Sequence, residues 1–161
     1  GPVGSGKSYV AARLARALGA VHVRTDEFRV ALRKEGKSFS VAPRLASRAR
    51  DHALAEGKSV IMDFDAILPR RQKECCRVAR KYGTSCYIIR IETPEKVIVC
   101  RARRHRYTSR DFFPNANELL RVYYIRKKLH EKQLQTKADF VIHNARPLAP
   151  QIRAIAKEIG G

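Results

Sequence analysis

Gly1-Pro2-Val3-Gly4-Ser5-Gly6-Lys7-Ser8 opens the chain and satisfies the pattern G-x-x-x-x-G-K-[ST] at every fixed position. The glycines let backbone N–H groups turn inward around a phosphate. Lys7 can reach the β- and γ-phosphates of a nucleotide, and the Ser8 hydroxyl is placed to ligate Mg²⁺. A helical run from Tyr9 to Leu18 follows at once, so the loop feeds a helix N-terminus, where dipole and free N–H groups favour an anion. A phosphate loop of this kind follows a buried parallel strand. A strand upstream of Gly1 is therefore expected, the sequence is read as truncated at its N-terminus, and an apolar groove around Ile61 and Ile89 is expected where that strand would lie.

Outward from the loop, apolar strands alternate with amphipathic helices, without internal repeats or low-complexity linkers. Val10, Leu14 and Leu18 form one stripe on a helix from Lys7 to Leu18, which Gly19 ends. Strands are expected at Val21–Thr25, Ser59–Asp63, Ser85–Ile91 and Asp139–His143. Helices are expected at Glu27–Lys34, Pro43–Glu56, Pro69–Tyr82, Asn115–Gln133 and Pro147–Ile159. Another helix is expected to run to about His105, with Thr93 as its cap and Pro94 in its first turn. The pattern is α/β: a three-layer αβα sandwich whose parallel sheet has five strands once the upstream one is counted.

The 161 residues suit a single domain, 1–161, with 44 % hydrophobic composition and an adequate core. No apolar run approaches a membrane span, and a cytoplasmic monomer is the expectation. Cys75, Cys76, Cys86 and Cys100 have no C-x-x-C spacing, so they are read as core thiols without zinc or disulfides. Lys and Arg total 34 against 15 acids, a net charge of +19. That field attracts polyanions, so nucleic acid is a candidate partner beside the alternative of a tolerated basic surface.

In open parallel sheets ligands gather beyond the carboxyl ends of the strands, where Asp26 and Asp63 both fall. Asp26 is read as the acceptor of a proton from an attacking hydroxyl, or else as the cap of the helix at Glu27. Asp63 is read as a Mg²⁺-side carboxylate, with Asp65 as its competitor. Five arginines between Arg101 and Arg110, with no acid among them, describe a mobile Arg-rich lid over about 104–116. Arg101 and Arg104 share a helix face and are the favoured nucleotide contacts. Arg29, Arg44 and Arg48 are candidate contacts for a phosphate-bearing substrate, because the stretch from Phe28 to Arg50 sets seven Lys and Arg against a single acid, Glu35.

These motifs, in this order, resemble the small P-loop kinases, sometimes grouped as AAA-type predicted kinases. That group includes the kinase domain of polynucleotide 5′-hydroxyl kinase and is related to zeta toxins and nucleoside monophosphate kinases. Arg24-Thr25-Asp26-Glu27-Phe28-Arg29 resembles the family's segment with a catalytic Asp followed three residues later by a phosphate-contacting Arg. Gly57 to Asp63 resembles its strand ending in Asp, and Pro69-Arg70-Arg71 is similar to the Pro and basic pair after it. Ile91 to Glu95, leading to Arg101 and Arg104, resembles its entry to the lid, and Ala138 to Asn144 its last strand. Tyr9 stands where many members have Thr beside the Mg²⁺-binding hydroxyl, within the cradle Gly1 to Tyr9. The resemblance implies a P-loop NTPase fold and transfer of the γ-phosphoryl of ATP, with Mg²⁺, to a hydroxyl on a small molecule or an RNA or DNA end. An ATP-binding domain of a larger nucleic-acid-associated protein is the alternative.

Overall fold

The computed structural model describes residues 1–64, 69–133 and 137–160. Seven helices and four strands succeed one another among the described residues: α1 (Lys7–Leu18), β1 (Val21–Arg24), α2 (Thr25–Lys34), α3 (Ala42–Ala55), β2 (Val60–Asp63), α4 (Pro69–Lys81), β3 (Ile89–Glu92), α5 (Glu95–Arg104), α6 (Ala116–Gln133), β4 (Phe140–His143) and α7 (Leu148–Gly160). This is an α/β fold of the P-loop NTPase kind, and all of its strand pairs are parallel.

The strands are β-branched at the positions that bury, Val23, Ile91 and Ile142 among them. They form two separate two-stranded sheets, β1 with β2 and β3 with β4. The four strands stand where the sequence placed them, and no ladder joins β2 to β3 among the described residues. Between these two strands lies an apolar cavity of about 400 Å³, lined by Val10, Leu14, Ile61, Ile89 and Ile91. The groove expected around Ile61 and Ile89 is this slot. Gly1 stands at its end, packed so closely on the Ile91 carbonyl that a Cβ there would collide with it.

The main core joins Val10 and Leu14 of α1 to Ile91, Ile142 and, from α7, Ile152 and Ile155. A smaller one packs Val3 against Ile98 and Tyr123, so the phosphate loop is itself anchored by an apolar side chain.

Local chemistry moves several boundaries. The third strand begins at Ile89, not Ser85, because the Asp139 carboxylate accepts from the Ile88 N–H (2.6 Å) while the Asp139 and Phe140 N–H groups share the Ile88 carbonyl. A side chain replaces the ladder there. Thr93 does not cap α5: Pro94 holds the N-cap position without a side-chain cap bond, and the Thr93 hydroxyl is used elsewhere. The thiol expectation also fails in part, since Cys76 and Cys86 are joined in a disulfide that ties α4 to the segment before β3. Cys75 and Cys100 stay free. None of the helices described is long and apolar enough to cross a membrane.

Candidate functional site

The loop from Gly1 to Gly6 closes around its own backbone. The Ser5 N–H bonds the Pro2 carbonyl (3.2 Å), and Gly4 and Gly6 take φ of 75° and 82°, a region that L side chains avoid. At Gly6 there is a second constraint, because a Cβ would run into the Asn144 amide. The ammonium of Lys7 donates to the carbonyls of Gly1 (3.0 Å) and Pro2 (2.9 Å), placing its charge at the mouth of the loop.

Two side chains from distant strand ends hold the loop from beneath. The wholly buried Ser5 offers its carbonyl to the Thr93 hydroxyl (2.9 Å) and the Asn144 amide (2.6 Å). Asn144 is itself fixed, since its N–H donates to the Glu92 carbonyl (2.8 Å) and its carbonyl accepts from Arg101 Nη2 (2.7 Å). A chain of hydrogen bonds thus runs from α5 through the end of β4 to the loop.

The parallel register of β1 and β2 pairs Arg24 with Asp63. Asp63 ends β2 with only 7 % of its side chain exposed, 3.6 Å from His22 Nε2 and 3.7 Å from Arg24 Nε. Burial, the largest single influence, pushes its carboxyl upward. The nearby polar groups of His22 and Ser8 and the positive charge of Lys7 outweigh that, and the net result lies below the ordinary carboxylate value. Asp65 lies outside the described residues. Ser8 and Asp63 are hard oxygen donors lining the same cleft, a pair that fits Mg²⁺, which keeps several waters and takes few protein ligands.

Asp26 has a different setting. The strand before it stops at Arg24 and α2 starts at Thr25, so Asp26 sits in the helix's first turn, and the N-cap is Arg24. Its carboxylate, 45 % exposed, pairs with Arg29 Nη1 at 2.7 Å. Capping is therefore not its task.

A cleft of about 1250 Å³ brings together Lys7, Ser8, Asp26, Arg29, Asp63 and Arg101. Tyr9 reaches its rim, 53 % exposed, with the Arg13 guanidinium 3.9 Å above its ring. Arg104 is exposed and outside the lining, because α5 turns Arg101, Ala102 and His105 inward. Arg44 and Arg48 are likewise exposed and off the cleft. The inward face of α3 carries Pro43, Ala46, Ser47 and Arg50, spaced three and four apart as one helix face requires. Arg50, 8 % exposed, is the cation that α3 presents to the cleft, and the i, i+3, i+4, i+7 spacing from Pro43 was the signal for it. Thr93 and Asn144 had no local signal.

No curated protein sequence matches the chain. Among solved structures it is similar to shikimate kinase from Aquifex aeolicus vf5, with 22 % identity over 98 % of this chain and 94 % of that one and a TM-score of 0.47. A family model described as an AAA domain matches residues 1–124, a span that holds the phosphate loop, Asp26, Asp63 and Arg101. The chain belongs to the AAA domain family.

Proposed function

We propose that residues 1–161 work as one P-loop kinase domain, a cytoplasmic monomer that moves the γ-phosphoryl of ATP to a hydroxyl on an acceptor bearing an anionic group. The observation that carries the reading is the pair of carboxylates in one cleft with opposite surroundings. Asp63 is buried beside His22 and Arg24, while Asp26 is half-exposed on the cleft and paired with Arg29.

In this reading Gly1 to Tyr9 cradle the phosphates, with Lys7 on the β- and γ-oxygens and Arg101 over the transferring group. Ser8 and Asp63 would hold Mg²⁺, which when bound supplies charge neutralisation at the phosphate oxygens. Asp26 accepts the proton of the acceptor hydroxyl as its oxygen bonds to the γ-phosphorus, and the bond to the bridging oxygen of ADP breaks. Arg29 orients the acceptor. Arg50, on the cleft floor, anchors the acceptor's anionic group, while Arg44, Arg48 and Arg104 face solvent and act only through long-range charge or on an extended polyanion.

The test is transfer from labelled ATP to a panel of hydroxyl acceptors by wild type and Asp26→Asn. The variant should lose about 10²-fold or more of the rate with little change in ATP affinity or Tm, since Asn is a poor proton acceptor. Wild-type turnover in Asp26→Asn would remove the base.

The net charge of +19 favours including a 5′-hydroxyl oligonucleotide among the acceptors, at two salt concentrations. Polynucleotide binding should weaken with a log–log slope of about −0.7 per phosphate contact for a single strand. ATP hydrolysis stimulated by nucleic acid without transfer would favour the second reading, an ATP-binding domain of a larger nucleic-acid-associated protein.

A further inference from the structure

The segment between α5 and α6 was expected to be a mobile lid, yet one side chain of α2 gathers three of its backbone carbonyls. Arg33, in the last turn of α2, donates from Nη1 to the Phe112 carbonyl (3.1 Å) and from Nη2 to those of Asp111 (2.8 Å) and Ser109 (3.2 Å). The segment is shaped to offer them. The Asp111 carboxylate accepts from the N–H (2.8 Å) and hydroxyl (3.0 Å) of Thr108 and lies 3.0 Å from His105 Nε2, so the turn keeps its form.

The same contact places Phe112. Its ring meets Phe39 edge-on at 6.0 Å and lies 5.1 Å from the Arg29 guanidinium, whose other side holds Asp26 at 2.7 Å. We propose that Arg33 is a positioning residue: by gathering three carbonyls of the α5–α6 segment it latches that segment onto α2 and so fixes the Arg29–Asp26 pair at the cleft mouth. A planar guanidinium can serve several carbonyls at once from one rigid fork, which shorter or non-planar donors cannot reproduce. The direction of the Asp26 carboxylate thereby depends on the lid segment being closed. The functional meaning rests on the kinase reading; the latch itself does not.

The test needs no catalysis. Trypsin cuts after Arg106 and Arg110, both exposed on the latched segment. In Arg33→Ala those cuts should accelerate by about tenfold or more, because cleavage follows the population of the opened segment. Cuts after Arg13 and Lys157, in α1 and α7, should keep their rates and so report that the fold is intact. In parallel, the Arg29 Nε–H resonance should stand apart from the solvent-averaged position in wild type and broaden or shift toward it in Arg33→Ala. Should that variant fail to fold, Arg33→Gln, with one amide in place of the fork, carries the same comparison. Equal cleavage rates at Arg106 and Arg110 with an unmoved Arg29 resonance would overturn the latch. A latch that passes while no acceptor is phosphorylated would leave Arg33 in place and remove the kinase reading alone.

Discussion

Asn144 lies outside the span matched by the AAA domain family, yet the geometry makes the phosphate loop depend on it. Its amide reaches the Ser5 carbonyl at 2.6 Å, and the same oxygen accepts from Thr93 at 2.9 Å. Removing either donor leaves the carbonyl with one partner. Asn144→Ala and Thr93→Ala should therefore each cost about one net hydrogen bond, ~0.5–1.5 kcal/mol, with a small addition for the space left by the 3 % exposed Asn144. Removing both orphans a carbonyl in a residue that is wholly buried, which adds a desolvation penalty of about 1–3 kcal/mol. The double variant should then exceed the sum of the single effects by ~1 kcal/mol or more, the sign expected for two donors serving one acceptor. Expressed on the loop, that corresponds to a loss of ATP affinity of up to about tenfold for Asn144→Ala and a further, more than multiplicative loss in the double variant. Asn144→Asp should be worse than alanine, since a carboxylate can neither donate to Ser5 nor sit comfortably beside a phosphate cradle. Titration with a fluorescent ATP analogue and chemical denaturation of wild type and the four variants check this. Additive single effects, or unchanged nucleotide affinity in Asn144→Ala, would refute the claim that the strand ends hold the loop.

The depressed carboxyl of Asp63 sets a pH dependence whose sign follows from linkage. Because its folded value lies below the ordinary one, its contribution to stability is complete above the usual carboxylate range and is lost as pH falls through the lowered value. Asp63→Asn should flatten the acid limb of stability measured by urea unfolding as pH falls from the ordinary carboxylate range, about pH 4, downward; an acid limb as steep as that of wild type would exclude Asp63 as its source. The slot between β2 and β3 makes a separate prediction. Fusing a short strand of alternating β-branched residues directly before Gly1 should raise Tm by several degrees relative to a Gly/Ser fusion of equal length, because it supplies both missing ladders. Equal Tm values for the two fusions would mean that the slot does not take a strand.

How far the sequence reaches is seen residue by residue. Helix α1 and its loop were legible because the G-x-x-x-x-G-K-S spacing and the Val10, Leu14, Leu18 stripe are local, and local geometry is what a pattern encodes. The strands were placed to within a few residues for the same reason. What escaped is long-range. Thr93 and Asn144 meet Ser5 across 88 and 139 residues, and Arg33 reaches Phe112 across 79; no spacing rule carries that information. The Cys76–Cys86 bridge depends on how the turn after α4 brings the chain back. The arginines of α3 are a milder case: charge alone does not separate Arg44 and Arg48, which are exposed, from Arg50, which shares with Pro43, Ala46 and Ser47 the helix face that lines the cleft.

The division of labour between the two aspartates follows from strand register more than from either residue. Parallel pairing of Arg24 with Asp63 puts one guanidinium between two acids, its Nη1 on Glu27 at 2.9 Å and its Nε 3.7 Å from Asp63. The same pairing sets His22 near Asp63, two residues earlier on the same strand face. A slip of one residue would turn that face over and exchange the Arg24 and His22 side chains beside Asp63 for the apolar Val23. Asp26, one residue beyond the first of α2, escapes this cage because the chain has already left the strand and entered a helix turn, where Arg29 is its partner. One carboxylate is thus held ionised in a cluster of fixed charges and the other is left open to a mobile ligand. That difference arises because Asp63 is the last residue of a strand paired in register with Arg24, whereas Asp26 lies two residues past that pair in a helix turn, and it is the physical basis for the proposal that Asp63 serves the metal side of the cleft and Asp26 the acceptor side.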